Sequence, residues 1–136
     1  MSLYRIGALD SDIDTTKFHC GNPPLDEYIR RYASQDVRRN VARVFVATAE
    51  SEPRRLAGFF TLSAGGVSCS DLAQSLAKEV PRYPVPVALI GRLAVNKDFQ
   101  GKGLGSILFA DACQKVARAS AILAVAGIVL EGNILN

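Results

Sequence analysis

Strand-like apolar runs alternate with turn residues in the first half of the chain. The segments Val41 to Thr48 and Leu56 to Val67 are rich in β-branched and aromatic residues, and turn-forming residues occupy positions 50–53 between them. They predict an antiparallel pair of strands, in which Gly65-Gly66 indicates a bulge or a strand end. Tyr4 to Leu9 predicts a shorter strand near the start of the chain.

Two later apolar runs predict further strands. Val85 to Val95 is apolar on both faces apart from Arg92, which is typical of a central strand. The run from Ile122 to Leu130 predicts the last strand. Ahead of the central strand, an extended loop is predicted at Pro81, Pro84 and Pro86.

The hydrophobic period changes between the first two predicted strands. Asn22, followed by two prolines, predicts a helix start, because the Asn side chain can accept a hydrogen bond from a free N–H of the first turn. Leu25, Tyr28, Ile29 and Tyr32 then recur at helical spacing and predict one buried stripe. The residues expected to face water are Asp26, Glu27, Arg30, Arg31 and Ser34.

Two further helices complete the predicted order. One begins at the capping residue Ser70 and runs to about Lys78, and a longer one runs from the glycine-rich turn at 100–105 to about Ser120. The resulting order β, α, β, β, α, β, α, β predicts an α/β fold with a mixed sheet. The length of 136 residues fits one domain, covering residues 1–136.

Composition narrows the class of protein. With 49% hydrophobic and 21% charged residues, the chain is expected to be globular rather than disordered. Its three cysteines lack CxxC spacing and cannot form a closed set of disulfides, which predicts a reducing, cytoplasmic location. No signal peptide or apolar run long enough to cross a membrane is expected.

The net charge of +3 is small but unevenly distributed. Arginines are concentrated between Arg30 and Arg55, where only three acids oppose them. A solvated helix face is the simpler interpretation, and a polyanionic partner is the alternative. Arg92 interrupts an apolar strand, so we expect it to reach solvent or to meet a carboxylate or phosphate at the edge of an active-site groove.

The segment from Gln100 to Ser106 carries the strongest chemical signal. A glycine-rich turn between a strand and a helix favours anion binding, because absent Cβ atoms let a ligand approach the free N–H groups of the first turn. Gln100 could add an amide, Lys102 a cation and Ser106 a hydroxyl. A close-packed turn without a ligand is the alternative. The spacing of the glycines excludes a Walker P-loop. The sequence after the turn also lacks the acidic residue that a Rossmann dinucleotide fingerprint needs.

The pattern Q-x-x-G-x-G at Gln100 to Gly105 resembles the motif of the GNAT superfamily of acetyl-CoA-dependent N-acetyltransferases. Together with the preceding run Gly91 to Val95, it is similar to the branch of toxin–antitoxin toxins that acetylate aminoacyl-tRNA. Phe18-His19-Cys20-Gly21 and the following Leu25-Asp26-x-Tyr28-Ile29 are similar to the opening motif of that branch. The resemblance extends from about Phe18 to Gly127.

The resemblance implies acetyl-CoA as cofactor and a set of residues that bind it. Backbone N–H groups of the glycine turn would hold the diphosphate, and pantetheine would pair with the end of the central strand like an added strand. The N–H near Val95 would polarise the thioester carbonyl. The implied cofactor-binding residues are Leu93, Ala94, Val95, Gln100, Gly101, Lys102, Gly103, Leu104, Gly105 and Ser106.

The resemblance also implies partners. An aminoacyl-tRNA would lie against a basic rim formed by Arg30, Arg31, Arg38, Arg39, Arg43 and Arg92. A ribbon-helix-helix antitoxin and a homodimer are expected by resemblance alone. The specific amino acid on the tRNA is not predicted.

The family's last helix, which carries its catalytic tyrosine, and its two final strands have no counterpart in this sequence, where no tyrosine follows Tyr83. The catalytic residue is therefore unassigned, and we expect a shortened, weakened enzyme or an oligomer that covers the open strand edge. The alternatives are an inactive remnant that binds cofactor or antitoxin, and an enzyme that acetylates a peptide or small amine.

Other reactive residue types have simpler explanations. Tyr28 and Tyr32 lie on the apolar stripe and are expected in the core. His19 and Cys20 lack the further ligands of a metal site and the partner base of a nucleophile, so structural roles are expected and no metal site is predicted. Asp26 would interact favourably with the positive end of its helix dipole.

Overall fold

A five-stranded mixed sheet forms the fold, as the sequence pattern predicts, and helices pack on both of its faces. The computed structural model describes residues 3–67 and 83–134. The strands follow the chain order across the sheet: the first four pair antiparallel, and the last two pair parallel. They are β1 (Tyr4–Ala8), β2 (Arg43–Ala49), β3 (Gly58–Val67), β4 (Val85–Val95) and β5 (Ile128–Ile134).

Helices connect these strands. Between β1 and β2 lie α1 (Pro23–Glu27), a π-helical turn (Tyr28–Tyr32) and α2 (Ala33–Arg38). After β4, a short 3₁₀ turn (Lys97–Phe99) leads through the glycine turn into α3 (Leu104–Ala119). Within the described ranges no helix is long and apolar enough to span a bilayer.

The sheet separates two hydrophobic cores. On one face, Phe18, Leu25, Tyr28 and Ile29 pack against Phe59 and other sheet residues. On the opposite face, Leu104, Leu108 and Ala112 of α3 pack against Phe60, Ile90, Leu93 and Val95. Since residues of one strand alternate between these faces, β4 is apolar on both sides, as its sequence predicts.

Several sequence predictions are confirmed within a residue or two. The bounds of β4 agree at both ends, β2 and β3 form the expected antiparallel pair, and α3 ends one residue early. Asn22 caps α1, its side chain accepting from the Leu25 N–H at 3.4 Å, with prolines in the first turn. The predicted helix from Ser70 to Lys78 lies outside the described residues.

The predictions for the last strand and for Pro86 are wrong in part, whereas that for Pro84 is confirmed. Residues 121–123 belong to the turn that follows α3, and Ile122 is 94% exposed. β5 starts six residues later than predicted, after Ala126 has donated its N–H to the carbonyl of Pro86. Pro86 itself lies inside β4 rather than in a loop, while Pro84 precedes the strand.

The buried stripe of the first helix is correct only up to Ile29. Tyr32, predicted to be in the core, is 47% exposed, and Ala33 is fully buried instead. The cause is the π-helical turn, in which the Ala33 N–H bonds to the Tyr28 carbonyl five residues earlier. The wider turn shifts the helical phase by one residue, so Ala33 takes the inward position.

Asp26, predicted to face water, is also buried, with 4% exposure. Its Oδ1 accepts the backbone N–H of Cys20 at 2.8 Å, and its Oδ2 lies 3.3 Å from Nδ1 of His19. The carboxylate therefore anchors the segment before α1, a role beyond the expected interaction with the helix dipole.

We expect Asp26→Ala to lower the free energy of unfolding by about 1–3 kcal/mol, because it leaves the Cys20 N–H without its acceptor. The neighbouring substitution Glu27→Ala is the control: Glu27 is exposed and faces Arg31 across 3.9 Å, so a change within about 0.5 kcal/mol is expected. Urea denaturation of both variants measures the difference, and equal effects would contradict the assigned role of Asp26.

The β-bulge does not lie at Gly65-Gly66, which pair in register with Val87 and Pro86. It lies in β4, because Phe60 pairs with Leu93 and Leu62 with Ile90, which leaves Thr61 opposite two residues. These are Gly91 and Arg92, and the Arg92 N–H donates to Thr61 Oγ1 at 3.0 Å. A Cβ on Gly91 would come within 3.3 Å of that oxygen, so glycine gives the bulge the space it needs.

Candidate cofactor and acceptor site

The glycine turn presents a row of unpaired backbone donors. Gly101 and Gly103 have φ of +77° and +83°, a conformation that favours glycine, and a Cβ at either position would meet no atom within 4 Å. The first helical hydrogen bond runs from Ile107 N–H to the Gly103 carbonyl. Within the described part of the chain, the N–H groups of residues 101–106 have no acceptor. This donor set fits a diphosphate at the positive end of α3.

The side chains of the turn are divided between core and solvent. Leu104 is buried against the sheet and Gly105 is also buried, so they fix the start of α3. Lys102 and Ser106 are exposed, and Lys102 Nζ lies 6.0 Å from the ring centre of Phe99. A cation and a hydroxyl therefore stand beside the free N–H groups, as the sequence predicts.

The bulge determines which way the N–H groups at the end of β4 point. The Ala88 N–H donates to Gly127, on the β5 side, whereas the Asn96 N–H donates to Ala57, on the β3 side. In a regular strand residues 88 and 96 would point the same way, so the extra residue at the bulge reverses the alternation. The Val95 N–H consequently points to the β5 side.

Described pairing between β4 and β5 ends at Leu93 and Ile134. Ala94 and Val95 thus extend beyond the last described pair between β4 and β5. On the other edge of β4, they still pair with Phe59 and Gly58 of β3. Such a strand end offers backbone groups to an extended ligand in the manner of an added strand. The end of β4 and the glycine turn are joined by the five residues 96–100.

The side chain of Gln100 makes other contacts than the sequence predicts. Its Nε2 donates to the carbonyls of Cys20 and Val95, both at 2.8 Å, so each amide proton already has a protein acceptor. The sequence predicts that this side-chain amide is offered to a phosphate, whereas the structure shows it bonded to two protein carbonyls. This contact could not be predicted from the sequence, because Gln100 and Cys20 are 80 residues apart.

Arg92 lies on the helix-covered face of β4, where it contacts Tyr28 of the π-helical turn; Tyr28 in turn contacts Asp36 of α2. Its guanidinium carbon is 3.8 Å from the ring centre of Tyr28, whose hydroxyl donates to Asp36 Oδ2 at 2.8 Å. Within the described residues the Arg92 guanidinium has no carboxylate partner, so its N–H donors remain available to an anion. Burial and the hydrogen bond to Asp36 raise the pKa of Tyr28. Tyr28 therefore stays protonated, with its proton committed to Asp36.

Five of the six arginines of the predicted basic rim are exposed, whereas Arg92 is partly buried, and the five differ in their partners. Arg30 bonds to the Phe18 carbonyl, and Arg31 lies 3.9 Å from Glu27. Among the described residues, no partner is found for Arg38, Arg39 and Arg43, which cluster between α2 and the start of β2. These three form the free part of the basic surface.

His19 and Cys20 have structural roles, as expected. Burial, followed by the hydrogen bond with Asp26, raises the pKa of the Cys20 thiol to about 11, so it carries almost no thiolate at neutral pH. His19 is exposed and contacts Asp26. A cavity of about 930 Å³ lies beside His19, lined by charged residues of both signs that include Lys17, Arg55 and Asp98, but by no residue of the glycine turn.

The site geometry agrees with a family match along almost the whole chain. The model of the acetyltransferase (GNAT) family matches residues 8–133. This chain belongs to the GNAT family of acetyltransferases. The cofactor of the family is acetyl-CoA.

Two relatives resemble this GNAT chain along most of its length. A tRNA-acetylating toxin of Mycobacterium tuberculosis is 37% identical over 121 residues, which are 88% of this chain and 70% of the toxin. The toxin AtaT in complex with acetyl-methionyl-tRNAfMet superposes with a TM-score of 0.85 at 27% identity, covering 98% of this chain and 79% of that one.

AtaT has been solved in two further states that this GNAT chain resembles. AtaTR bound with AcCoA has a TM-score of 0.82 at 28% identity, covering 100% of this chain and 80% of that one. The AtaT Y144F mutant toxin bound to the C-terminus of the antitoxin AtaR has a TM-score of 0.78 at 25% identity, covering 98% of this chain and 75% of that one. These structures confirm the predicted mixed-sheet fold, and this GNAT chain spans about three quarters of the length of its relatives.

Proposed function

We propose that this GNAT domain transfers the acetyl group of acetyl-CoA to the α-amino group of an aminoacyl-tRNA. The carrying observation is the row of free N–H groups at residues 101–106, next to a strand end whose Val95 N–H points to the β5 side. The substrate class is supported by the 37% identical tRNA-acetylating toxin and by AtaT with its acetylated tRNA.

The cofactor would be held along two elements. Residues that would contact it are Leu93, Ala94 and Val95 at the end of β4, then Gly101, Lys102, Gly103, Leu104, Gly105 and Ser106. Bound acetyl-CoA supplies an activated thioester. The Val95 N–H is placed to stabilise negative charge on the thioester oxygen, while the turn fixes the diphosphate. In the transfer, a C–N bond to the amine forms, the C–S bond breaks and coenzyme A leaves; the amine loses one proton and the departing thiolate gains one, so the step balances as amide plus thiol.

The acceptor would approach from the arginine-bearing side. Arg38, Arg39 and Arg43 are free to bind phosphates of the tRNA backbone, with Arg30 and Arg31 beside them. Arg92 would meet the acceptor end, because it lies on β4 three residues before Val95. No residue is proposed as the general acid, since the proton of Tyr28 is committed to Asp36.

Partners follow from the same relatives. AtaT has been solved with the C-terminus of the antitoxin AtaR, which supports an antitoxin partner for this chain. We propose that the antitoxin is of the ribbon-helix-helix type and that the toxin is a homodimer in the cytoplasm. Size-exclusion chromatography with light scattering measures the dimer directly.

A transfer assay tests the proposed function. The chain is incubated with acetyl-CoA carrying a labelled acetyl group and with total aminoacyl-tRNA, and label is expected in tRNA. Uncharged tRNA and free amino acids are the controls and should stay unlabelled. Coenzyme binding without any labelled tRNA would instead support the alternative of an inactive cofactor-binding remnant.

A further inference from the structure

Gln100 connects three parts of the candidate site. Its side-chain nitrogen bonds the carbonyl of Val95 at the end of β4 and the carbonyl of Cys20 ahead of α1, both at 2.8 Å. Its backbone continues directly into Gly101, the first residue of the anion-binding turn. One side chain therefore joins the turn, the strand end and the segment that leads into α1.

The segment at His19 and Cys20 is held from two other directions. The Lys97 N–H donates to the His19 carbonyl at 2.8 Å, which makes a second bond between this segment and the residues after β4. The Cys20 N–H donates to Asp26 of α1, also at 2.8 Å. These hydrogen bonds form a continuous path from the glycine turn through Gln100 to Cys20, and from Cys20 through Asp26 to α1.

The hydrogen bond to the Val95 carbonyl affects the backbone at the proposed position of the thioester. In an extended strand the C=O and N–H of one residue point to the same side, so the amide of Gln100 lies on the same side as the Val95 N–H. By holding the carbonyl, it restricts rotation of the peptide groups at Val95. Without Gln100, the carbonyls of Val95 and Cys20 would lose the donor they share.

We infer that Gln100 is a positioning residue: it clamps Val95 and Cys20 so that coenzyme binding at the glycine turn orders the acceptor-side segment. Its amide does not serve the diphosphate itself. The kinetic part of this inference rests on the proposed function. The clamp is present without any ligand, so it can be measured independently of catalysis.

Three variants separate the clamp from general effects. Gln100→Met keeps the approximate shape but has no donor, and Gln100→Asn keeps the amide but is one methylene too short to span both carbonyls. Gln114→Met, on the exposed face of α3, is the matched control. In the ligand-free protein, we expect the Lys97 amide to exchange its hydrogen at least about 10-fold faster in both Gln100 variants and unchanged in the control.

The kinetic readout distinguishes positioning from binding. In the Gln100 variants, kcat should fall about 10- to 100-fold, while the KM for acetyl-CoA stays within about threefold. The opposite result would be unchanged hydrogen exchange and kcat, with coenzyme binding more than about 10-fold weaker. It would show that the amide binds the diphosphate. If the unaltered chain transfers no acetyl group, the proposed function fails, whereas the exchange result still decides the clamp.

A measurement on the unaltered chain covers the case in which the Gln100 variants do not fold. Addition of coenzyme A should slow exchange of the Cys20 amide at least about threefold, although Cys20 is not among the proposed coenzyme contacts. Slowing confined to the glycine turn and β4 would overturn the coupling.

Discussion

Replacing Gly103 by glutamate is expected to weaken acetyl-CoA binding by more than about 100-fold. At φ of +83°, a residue with a Cβ is strained by about 1–2 kcal/mol. The protein itself leaves room for the side chain, because no atom lies within 4 Å of the Cβ position. The carboxylate would therefore occupy the space proposed for the diphosphate and repel it. Strain adds to the loss to the extent that the turn relaxes in the free variant and must return to this conformation on binding, and the combined loss is expected to exceed the roughly 2.7 kcal/mol of a 100-fold change.

Calorimetry of coenzyme binding measures this effect. The control is Gly7→Glu in β1, where a Cβ also meets no atom within 4 Å and φ is not positive. It adds the same charge in β1, outside the turn, so unchanged affinity is expected. Gly103→Ala separates strain from charge and should give a smaller loss. If Gly103→Glu binds acetyl-CoA as well as the unaltered chain does, the diphosphate does not lie at this turn.

Neutralising Arg38 and Arg39 is expected to weaken tRNA binding about 10- to 100-fold at low salt. Both arginines are exposed and have no partner among the described residues, so their charges are available to phosphates. Each lost phosphate contact should also make the dependence of log K on log salt shallower by about one unit. The variant Arg38→Gln/Arg39→Gln is compared by filter binding at several salt concentrations.

The control is the double variant Arg5→Gln/Arg118→Gln, which removes the same charge from exposed positions in β1 and at the end of α3. Only a small, nonspecific loss of affinity is expected for it. If both double variants weaken tRNA binding equally, net charge alone drives association and the surface around α2 is not the tRNA-binding side.

Much of the site could be predicted from sequence because it is local. The apolar run of β4, the glycines of the turn and the start of α3 are contiguous, and the positive φ at Gly101 and Gly103 agrees with the need for glycine there. The cap at Asn22 is equally local, since donor and acceptor are three residues apart. Local patterns of this kind depend on few neighbours.

The errors arise where contacts cross the chain or where the helix period changes. No sequence signal places Gln100 against Cys20, 80 residues away, or turns Asp26 inward onto the Cys20 N–H. The position of Tyr32 depended on a regular helix, and the π-helical turn shifted the phase. Gly65-Gly66 predicts a bulge or a strand end, and the glycines lie next to the end of β3, whereas the pairing of Thr61 with Gly91 and Arg92 sets the place of the bulge.

The central claim is that backbone N–H groups of the glycine turn hold the coenzyme diphosphate, with the thioester at Val95. Backbone amide chemical shifts, measured by ¹⁵N NMR during titration, test it most directly. We expect coenzyme A and acetyl-CoA to shift the amides of residues 101–106 alike, and acetyl-CoA to add a larger shift at Val95. Shifts concentrated instead around Lys17, His19 and Arg55, which line the 930 Å³ cavity, would contradict the claim.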